Sequence, residues 1–256
     1  MLIYEPKGKA REYSPYALNL YTGCEHQCSY CYVKKIAFGK LSGPIAIPRK
    51  NVLQLLEKEI NKKLPKEQIL LSFTGDPFCK AETKHHITRQ ALKILCYAGA
   101  KISILTKGGY RALEAIEEIK AFGKNIKIGA TLTFLNEQKS LEYEPGAALP
   151  KERIEMLSIF KKEGINTWAS FEPVIDTDES LSIMRVSMPF VDQYKVGKLN
   201  YVKNNTDWGK FLYNTYSLLK GNNKPFYIKY DLQVFEKVAG IKLSENEKDM
   251  NFLCLK

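Results

Sequence analysis

Three cysteines in eight residues, Cys24, Cys28 and Cys31, constrain this chain more than any other feature. They stand in Gly23-Cys24-Glu25-His26-Gln27-Cys28-Ser29-Tyr30-Cys31-Tyr32, a C-x3-C-x2-C spacing. Thiolates this close fold around one inorganic centre, and soft sulfur ligands select iron–sulfur clusters, zinc or Cu(I). A closed structural zinc site asks for four ligands, whereas three thiolates on a four-iron cluster leave one iron open to a small molecule. His26 can serve as a fourth zinc ligand, but it lies inside the first gap, where a short loop aims it inward with difficulty. A zinc knuckle therefore stands beside the cluster reading.

The rest of the chain alternates between two periodicities. Apolar residues recur at helical spacing over 51–64, 83–98, 110–122, 151–163, 179–186 and 206–219. Buried-strand runs occupy 17–22, 69–74, 101–107, 126–133, 166–174 and 192–199. Gly99, Gly123 and Gly164 close helices, and Pro150 opens one. Residues 40–48 and 134–149 read as loops, and Thr206 or Asp207 as a helix cap. Strands alternating with helices imply parallel pairing by right-handed crossovers. Six such units fall short of the eight that close a full barrel. The expected fold is α/β, a curved and partly open (β/α)6 sheet with function at the C-terminal strand ends. Three segments follow: an arm at 1–16, the barrel at 17–221 and an extension at 222–256, with a strand at 226–229 and a short helix at 233–238.

With 256 residues, 45% hydrophobic and 26% charged, the chain fits one globular domain. No apolar run approaches the ~20 residues of a membrane span, and the start lacks the pattern of a signal peptide. Six cysteines in a chain of this length do not form a disulfide framework. Clustered thiols imply a reducing compartment, so the cytoplasm is expected. The formal net charge of +11 favours a polyanionic partner, although a lysine-rich composition gives the same number without one. Lys7, Lys9 and Arg11 in the arm are candidates for phosphate contacts.

The cysteine stretch resembles the radical S-adenosylmethionine (SAM) superfamily, whose signature is C-x3-C-x-aromatic-C, here with Tyr30 as the aromatic. Within it the chain is similar to the spore photoproduct lyase-related, DNA photolyase-like group. The carrying segments are the cysteine loop, Thr74-Gly75-Asp76-Pro77 with Glu82 downstream, and Leu105-Thr106-Lys107. Glu144-Pro145, Leu149-Pro150-Lys151-Glu152-Arg153 and Pro173-Val174-Ile175 follow. The likeness spans roughly residues 15–180. It implies a partial (β/α)6 TIM-like barrel of the radical SAM type with a short C-terminal appendage. It also implies a [4Fe–4S] cluster on Cys24, Cys28 and Cys31, with SAM on the open iron. Thr74, Gly75 and Asp76 would meet the SAM amino group, Lys107 its carboxylate, and Thr131 and Thr133 its ribose, with Glu172 at the next strand end. An electron donor such as flavodoxin or ferredoxin, a nucleic-acid substrate with DNA favoured, and a monomeric enzyme are further expectations.

One departure stands out. In spore photoproduct lyases a cysteine at the end of the second strand returns a hydrogen atom to the product radical, and the matching residue here is Phe73. Cys79 is the candidate catalytic thiol in its place; without it, the reaction ends as a base modification or isomerisation. Cys96 reads as core, Cys254 as tail, and His85 and His86 as surface or cap residues. The function expected is hydrogen abstraction from a nucleic-acid base. The alternatives are the same chemistry on a peptide or metabolite, and a cluster- or zinc-carrying nucleic-acid-binding module without catalysis.

Overall fold

The computed structural model describes residues 1–35, 43–199 and 205–256. Their ten strands are β1 (Ile3–Tyr4), β2 (Tyr16–Leu18), β3 (Tyr21–Thr22), β4 (Ile47–Pro48), β5 (Ile69–Leu71), β6 (Ile102–Thr106), β7 (Ile126–Thr131), β8 (Asn166–Phe171), β9 (Gln193–Val196) and β10 (Phe226–Ile228). Eight form one sheet in the order β1-β2-β5-β6-β7-β8-β9-β10. From β2 to β10 every pairing is parallel, and only β1 runs antiparallel, on β2. The expected α/β barrel-type sheet is present and open among the described residues.

Helices α1 (Val52–Ile60), α2 (Glu82–His85), α3 (Ile87–Tyr97), α4 (Ile116–Lys120), α5 (Glu137–Tyr143), α6 (Pro150–Lys162), α7 (Thr177–Ser187) and α8 (Trp208–Gly221) connect the strands. Isoleucine and leucine from β5, β6 and β7 meet Leu92 and Leu95 of α3 and Leu157 and Phe160 of α6 in one continuous core. That burial is the main stabilising term of the sheet. Among the described residues no helix is long and apolar enough to cross a membrane.

Several boundaries differ from the sequence reading. The helix expected over 83–98 breaks at His86, which takes a left-handed φ of 51°. The buried Glu82 carboxylate explains the break, because it accepts from Thr88 N (2.9 Å) and Arg89 N (3.1 Å) and so caps α3 from outside the helix. The segment expected as one helix over 110–122 begins as a 3₁₀ turn, Gly109–Ala115, before α4. The loop expected over 134–149 contains α5, capped by the Asn136 side chain on Lys139 N. The expected strand 17–22 is split, since β3 leaves the main sheet to pair with β4. Of the expected loop 40–48, residues 40–42 lie outside the described residues and 47–48 are strand.

The two chain ends carry the largest difference. β10 pairs in parallel with β9, so the segment after 221 continues the sheet. The arm is equally tied in: Leu2, Ile3, Tyr13 and Ser14 are buried, and Glu12 accepts from Tyr227 Oη (2.7 Å) and Tyr230 N (2.8 Å). The partners of β10 and of the arm lie more than 200 residues from one another, beyond any local pattern.

Candidate functional site

One cavity opens at the C-terminal strand ends, where a parallel sheet leaves free backbone and loops. Cys24, Cys28 and Cys31 line it together with Tyr30, Thr74, Gly75, Asp76, Lys107, Thr131 and Glu172. Ten of the twelve residues singled out from the sequence thus share a single wall. The cysteine loop reaches this position from β3. Gly23 has φ +81°, and a Cβ there would fall 2.1 Å from the Ile45 carbonyl oxygen, so only glycine lets the loop lie against the β4 segment. The Cys24 amide donates to Gly43 O (3.0 Å), and the Gln27 side chain bridges Cys24 O and Gly43 O.

All six cysteines are free. Burial first, then the Asp76 carboxylate, push the Cys24 thiol up to about 12. Burial raises Cys28 as well, opposed by the Lys107 ammonium. Thiols in this state bind iron only when the metal's own charge replaces the proton. Among the described residues no three His, Cys, Asp or Glu side chains converge on a single-ion geometry. A four-iron cluster does not require that convergence, because its thiolates sit on different irons. Three unpaired thiols on one cavity wall, with a lysine beside them, fit such a cluster. His26 is committed elsewhere. Its Nε2 lies 2.9 Å from Asp76 Oδ2 and its Nδ1 3.1 Å from Gly146 O, so it holds the loop down and does not complete a zinc site.

Two buried carboxylates brace the cysteine side. Asp76 accepts from Thr106 Oγ1 (2.5 Å), Lys107 N (2.7 Å) and Phe78 N (2.8 Å) besides pairing with His26. Burial alone would raise its pKa; the His26 pair and these donors hold it well below the usual carboxylate range. Asp76 was expected to meet a ligand amine, yet its oxygens are spent tying β5, β6 and the cysteine loop together. Glu144 is the second brace. It pairs with Arg153 (Nη2 2.6 Å), accepts from Thr133 Oγ1 (3.1 Å) and from the Tyr30 hydroxyl, and lies 4.0 Å from Lys107 Nζ. Burial again opposes ionisation, and Arg153 and Lys107 overcome it, leaving the Glu144 pKa below its ordinary value.

Four expectations change here. Thr133 is fully buried, spends its hydroxyl on Glu144, and does not line the cavity. Tyr30 faces the cavity, but its hydroxyl is held by Glu144 and its ring lies under Lys107 Nζ at 5.6 Å. Gly75 needs its missing Cβ for the Gly23 carbonyl, 3.1 Å away, before any ligand. Cys79 is the clearest correction. It is fully buried within the apolar core and is absent from the cavity wall, because Asp76 caps the Phe78 amide and turns the chain inward. Burial raises the Cys79 thiol far above its ordinary value, and it does not fit a hydrogen donor to this cavity.

The opposite wall was missed. Tyr13, Phe73, Glu172 and Lys229 face the cavity from four separate elements. Tyr13 Oη donates to Glu172 Oε2 (2.7 Å) and lies 2.9 Å from Ser170 Oγ. Lys229 is fully buried, pairs with Glu172, approaches Glu12 at 3.8 Å, and stands 4.3 Å over the Tyr13 ring. Phe73 packs edge-on against Tyr13, with centroids 5.9 Å apart. Lys9 reaches the same cavity while paired with Asp231. No spacing signal marks these residues in the sequence, since their partners are distant in the chain.

A family model described as the Radical SAM superfamily matches residues 18–182. An uncharacterised protein of Methanocaldococcus jannaschii is 28% identical over 190 residues, 72% of this chain and 70% of that one. A Mycobacterium tuberculosis protein, also uncharacterised, is 25% identical over 169 residues, 62% of this chain and 49% of its own length. Among solved structures, spore photoproduct lyase complexed with dinucleoside spore photoproduct has a TM-score of 0.63 at 13% identity, over 88% of this chain and 79% of that one. Streptococcus suis SuiB bound to S-adenosylmethionine has a TM-score of 0.63 at 15% identity, over 90% and 53%. SuiB is also known bound to its precursor peptide SuiA, with a TM-score of 0.64 at 13% identity over the same shares. The chain spans about half the length of SuiB and of the mycobacterial relative. At these identities the structural likenesses establish the fold.

Proposed function

Because this chain belongs to the radical SAM superfamily, we propose that it directs that family's chemistry at a nucleic-acid base. It is an enzyme of the radical SAM type, and the family works with a [4Fe–4S] cluster and SAM. When bound, these groups supply one-electron cleavage of SAM to methionine and a 5′-deoxyadenosyl radical, which takes a hydrogen atom from the substrate.

The chain's own residues then have distinct tasks. Cys24, Cys28 and Cys31 hold the cluster as thiolates. Thr74 and Gly75 offer backbone groups to the SAM amine, Lys107 a cation to its carboxylate, and Thr131 and Glu172 polar groups to its ribose. Asp76, Glu144 and Thr133 act one layer behind, holding the cysteine loop and Lys107 in place. Tyr13, Tyr32 and Phe73 give the cavity an apolar, aromatic side that shields the reaction from water.

The observation that carries the substrate reading is that aromatic side, with Lys9 from the arm reaching the same cavity. Bases stack on aromatic rings, and a lysine attracts the attached phosphate. Among the described residues the cavity is lined by no cysteine beyond the three of the motif. That supports a base modification or isomerisation over a lesion repair ended by a wall thiol. An electron carrier of the flavodoxin or ferredoxin kind, a monomeric state and a cytoplasmic setting belong to the same reading. Peptide substrates are the rival, and a cluster- or zinc-carrying binding module without catalysis is the reading of another class.

Anaerobically reconstituted protein reduced with dithionite is expected to release 5′-deoxyadenosine, faster with oligonucleotides than with peptides. Oligonucleotide affinity is expected to fall steeply as salt rises. Acceleration by peptides alone moves the substrate class, and no SAM cleavage under any condition overturns the reading.

A further inference from the structure

The cysteine loop is backed on its outer side by the segment that carries β4. In that segment Ala46 is buried while Ile45 and Ile47 are 65% and 61% exposed. The strand alternation therefore turns two isoleucines outward at one spot, on an edge that pairs only with β3. Exposed apolar side chains are ordinary when single; a pair fixed beside a functional loop is less so. The connection to the loop is direct. Gly23 packs on the Ile45 carbonyl, and the Cys24 amide donates to Gly43 O at 3.0 Å.

The surroundings are basic. Lys50 is exposed just beyond β4. Lys80 and Lys84 are exposed on the segment whose Ala81 amide donates to Glu25 of the cysteine loop (3.1 Å), which also occupies that loop's one carboxylate. Lys34, also exposed, donates to Cys28 O (3.2 Å). An apolar centre with a cationic rim is the arrangement of a transient docking site, where the centre supplies affinity and the rim steers encounter.

We infer that this face, Ile45 and Ile47 rimmed by Lys34, Lys50, Lys80 and Lys84, docks an acidic one-electron carrier protein that reduces the cluster. The inference rests on the cluster assignment under Proposed function. Charge complementarity selects the occupant: an acidic carrier is drawn to this rim, and its redox group then sits against the segment that hydrogen-bonds the Cys24 backbone. The step balances simply. A flavin hydroquinone carrier loses one electron and becomes the semiquinone, while the oxidised cluster gains that electron. The cavity on the other side of the loop stays free for SAM and substrate.

The test uses the reconstituted holoenzyme with flavodoxin hydroquinone as the probe and dithionite as the control reductant. Cluster reduction is followed by bleaching of its visible absorption, and oxidised flavodoxin binding by calorimetry. At low ionic strength the Lys50→Glu/Lys84→Glu variant is expected to be reduced by flavodoxin at least tenfold more slowly than wild type. The wild-type rate should fall with added salt and the variant's should not. Ile45→Glu should weaken flavodoxin binding about tenfold at any salt, and dithionite should reduce both variants at the wild-type rate. Wild-type flavodoxin affinity in every variant overturns the proposal, as does an equal slowing of dithionite reduction. Concentration-dependent dimerisation abolished by Ile45→Glu, with flavodoxin reduction intact, gives the face to a second copy and also overturns it. Failure of wild type to cleave SAM with dithionite tells against the function itself, not the docking face.

Discussion

The two walls of the cavity solve the same electrostatic problem with different parts of the chain. On the cysteine side, Asp76 and Glu144 are buried against His26, Lys107 and Arg153. On the opposite side, Glu172 and Glu12 are buried against Lys229 and the Tyr13 hydroxyl. Each carboxylate is paired and hydrogen-bonded, as buried charge requires. The difference lies in where the partners come from. The cysteine side draws on residues 23–153, inside the span of the family match, whereas the far side joins the N-terminal arm to β8 and β10. The first wall holds what every enzyme of this chemistry needs. The second is free to vary, and it is there that the choice of substrate falls.

The strongest way to break this division is at the cysteines. Changing Cys24, Cys28 or Cys31 to Ala is expected to abolish SAM cleavage and lower bound iron, since no other cysteine lines the cavity among the described residues. Iron analysis and product chromatography check it; a full four-iron cluster in any of the three would dissolve the distinction between the walls.

Next comes the brace. Asp76→Asn leaves His26 and the Thr106 and Lys107 donors facing a neutral group, at a cost of about 3 kcal/mol, as for breaking a buried pair. Because the folded carboxyl is held below its unfolded pKa, its contribution is complete above about pH 4 and is lost as pH falls through the lower folded value. Denaturant midpoints should therefore separate wild type and variant most near neutral pH, and the gap should close on acidification. A gap independent of pH would mean that packing, not charge, holds the loop.

Lys107→Ala is expected to weaken SAM binding by about 1–3 kcal/mol, the range for a lost charge-assisted hydrogen bond. Calorimetry on the reconstituted protein reads it. Arg153 still pairs with Glu144 in this variant, so the brace should survive and the denaturant midpoint should move little. Unchanged SAM affinity would assign Lys107 to the brace alone.

The smallest effect is expected on the far wall. Tyr13→Phe keeps the ring against Phe73 and Lys229 but removes the hydrogen bonds to Glu172 and Ser170, worth about 1 kcal/mol. Dithionite-driven SAM cleavage without substrate should be unaffected, while the stimulation by an oligonucleotide should drop. Equal loss of both activities would show that the far wall serves SAM as well as substrate.

The chain's local patterns made one wall readable in advance. Cysteine spacing places three thiols in one loop, and periodicity places Lys107, Thr131 and Glu172 at successive strand ends, because side-chain direction in a strand follows position. What local pattern could not decide was how each side chain is spent. Thr133 and Asp76 sit where expected, yet buried neighbours claim their oxygens, and a buried polar atom takes the nearest partner on offer. Cys79 is near the site in sequence and outside it in space, since one capped turn after Pro77 sends it into the core.

Sequence alone therefore settled the cofactor side of this protein: the thiol triplet, the parallel α/β frame and the order of the strand ends. Only the tertiary structure decided the far wall, because pairing Glu12 with Tyr227 and Lys229 requires the arm and β10 to meet across the sheet. Such contacts have a sequence separation above 200 residues and no periodic signature. They exist because a charge taken from water must find its counter-charge wherever the fold delivers one.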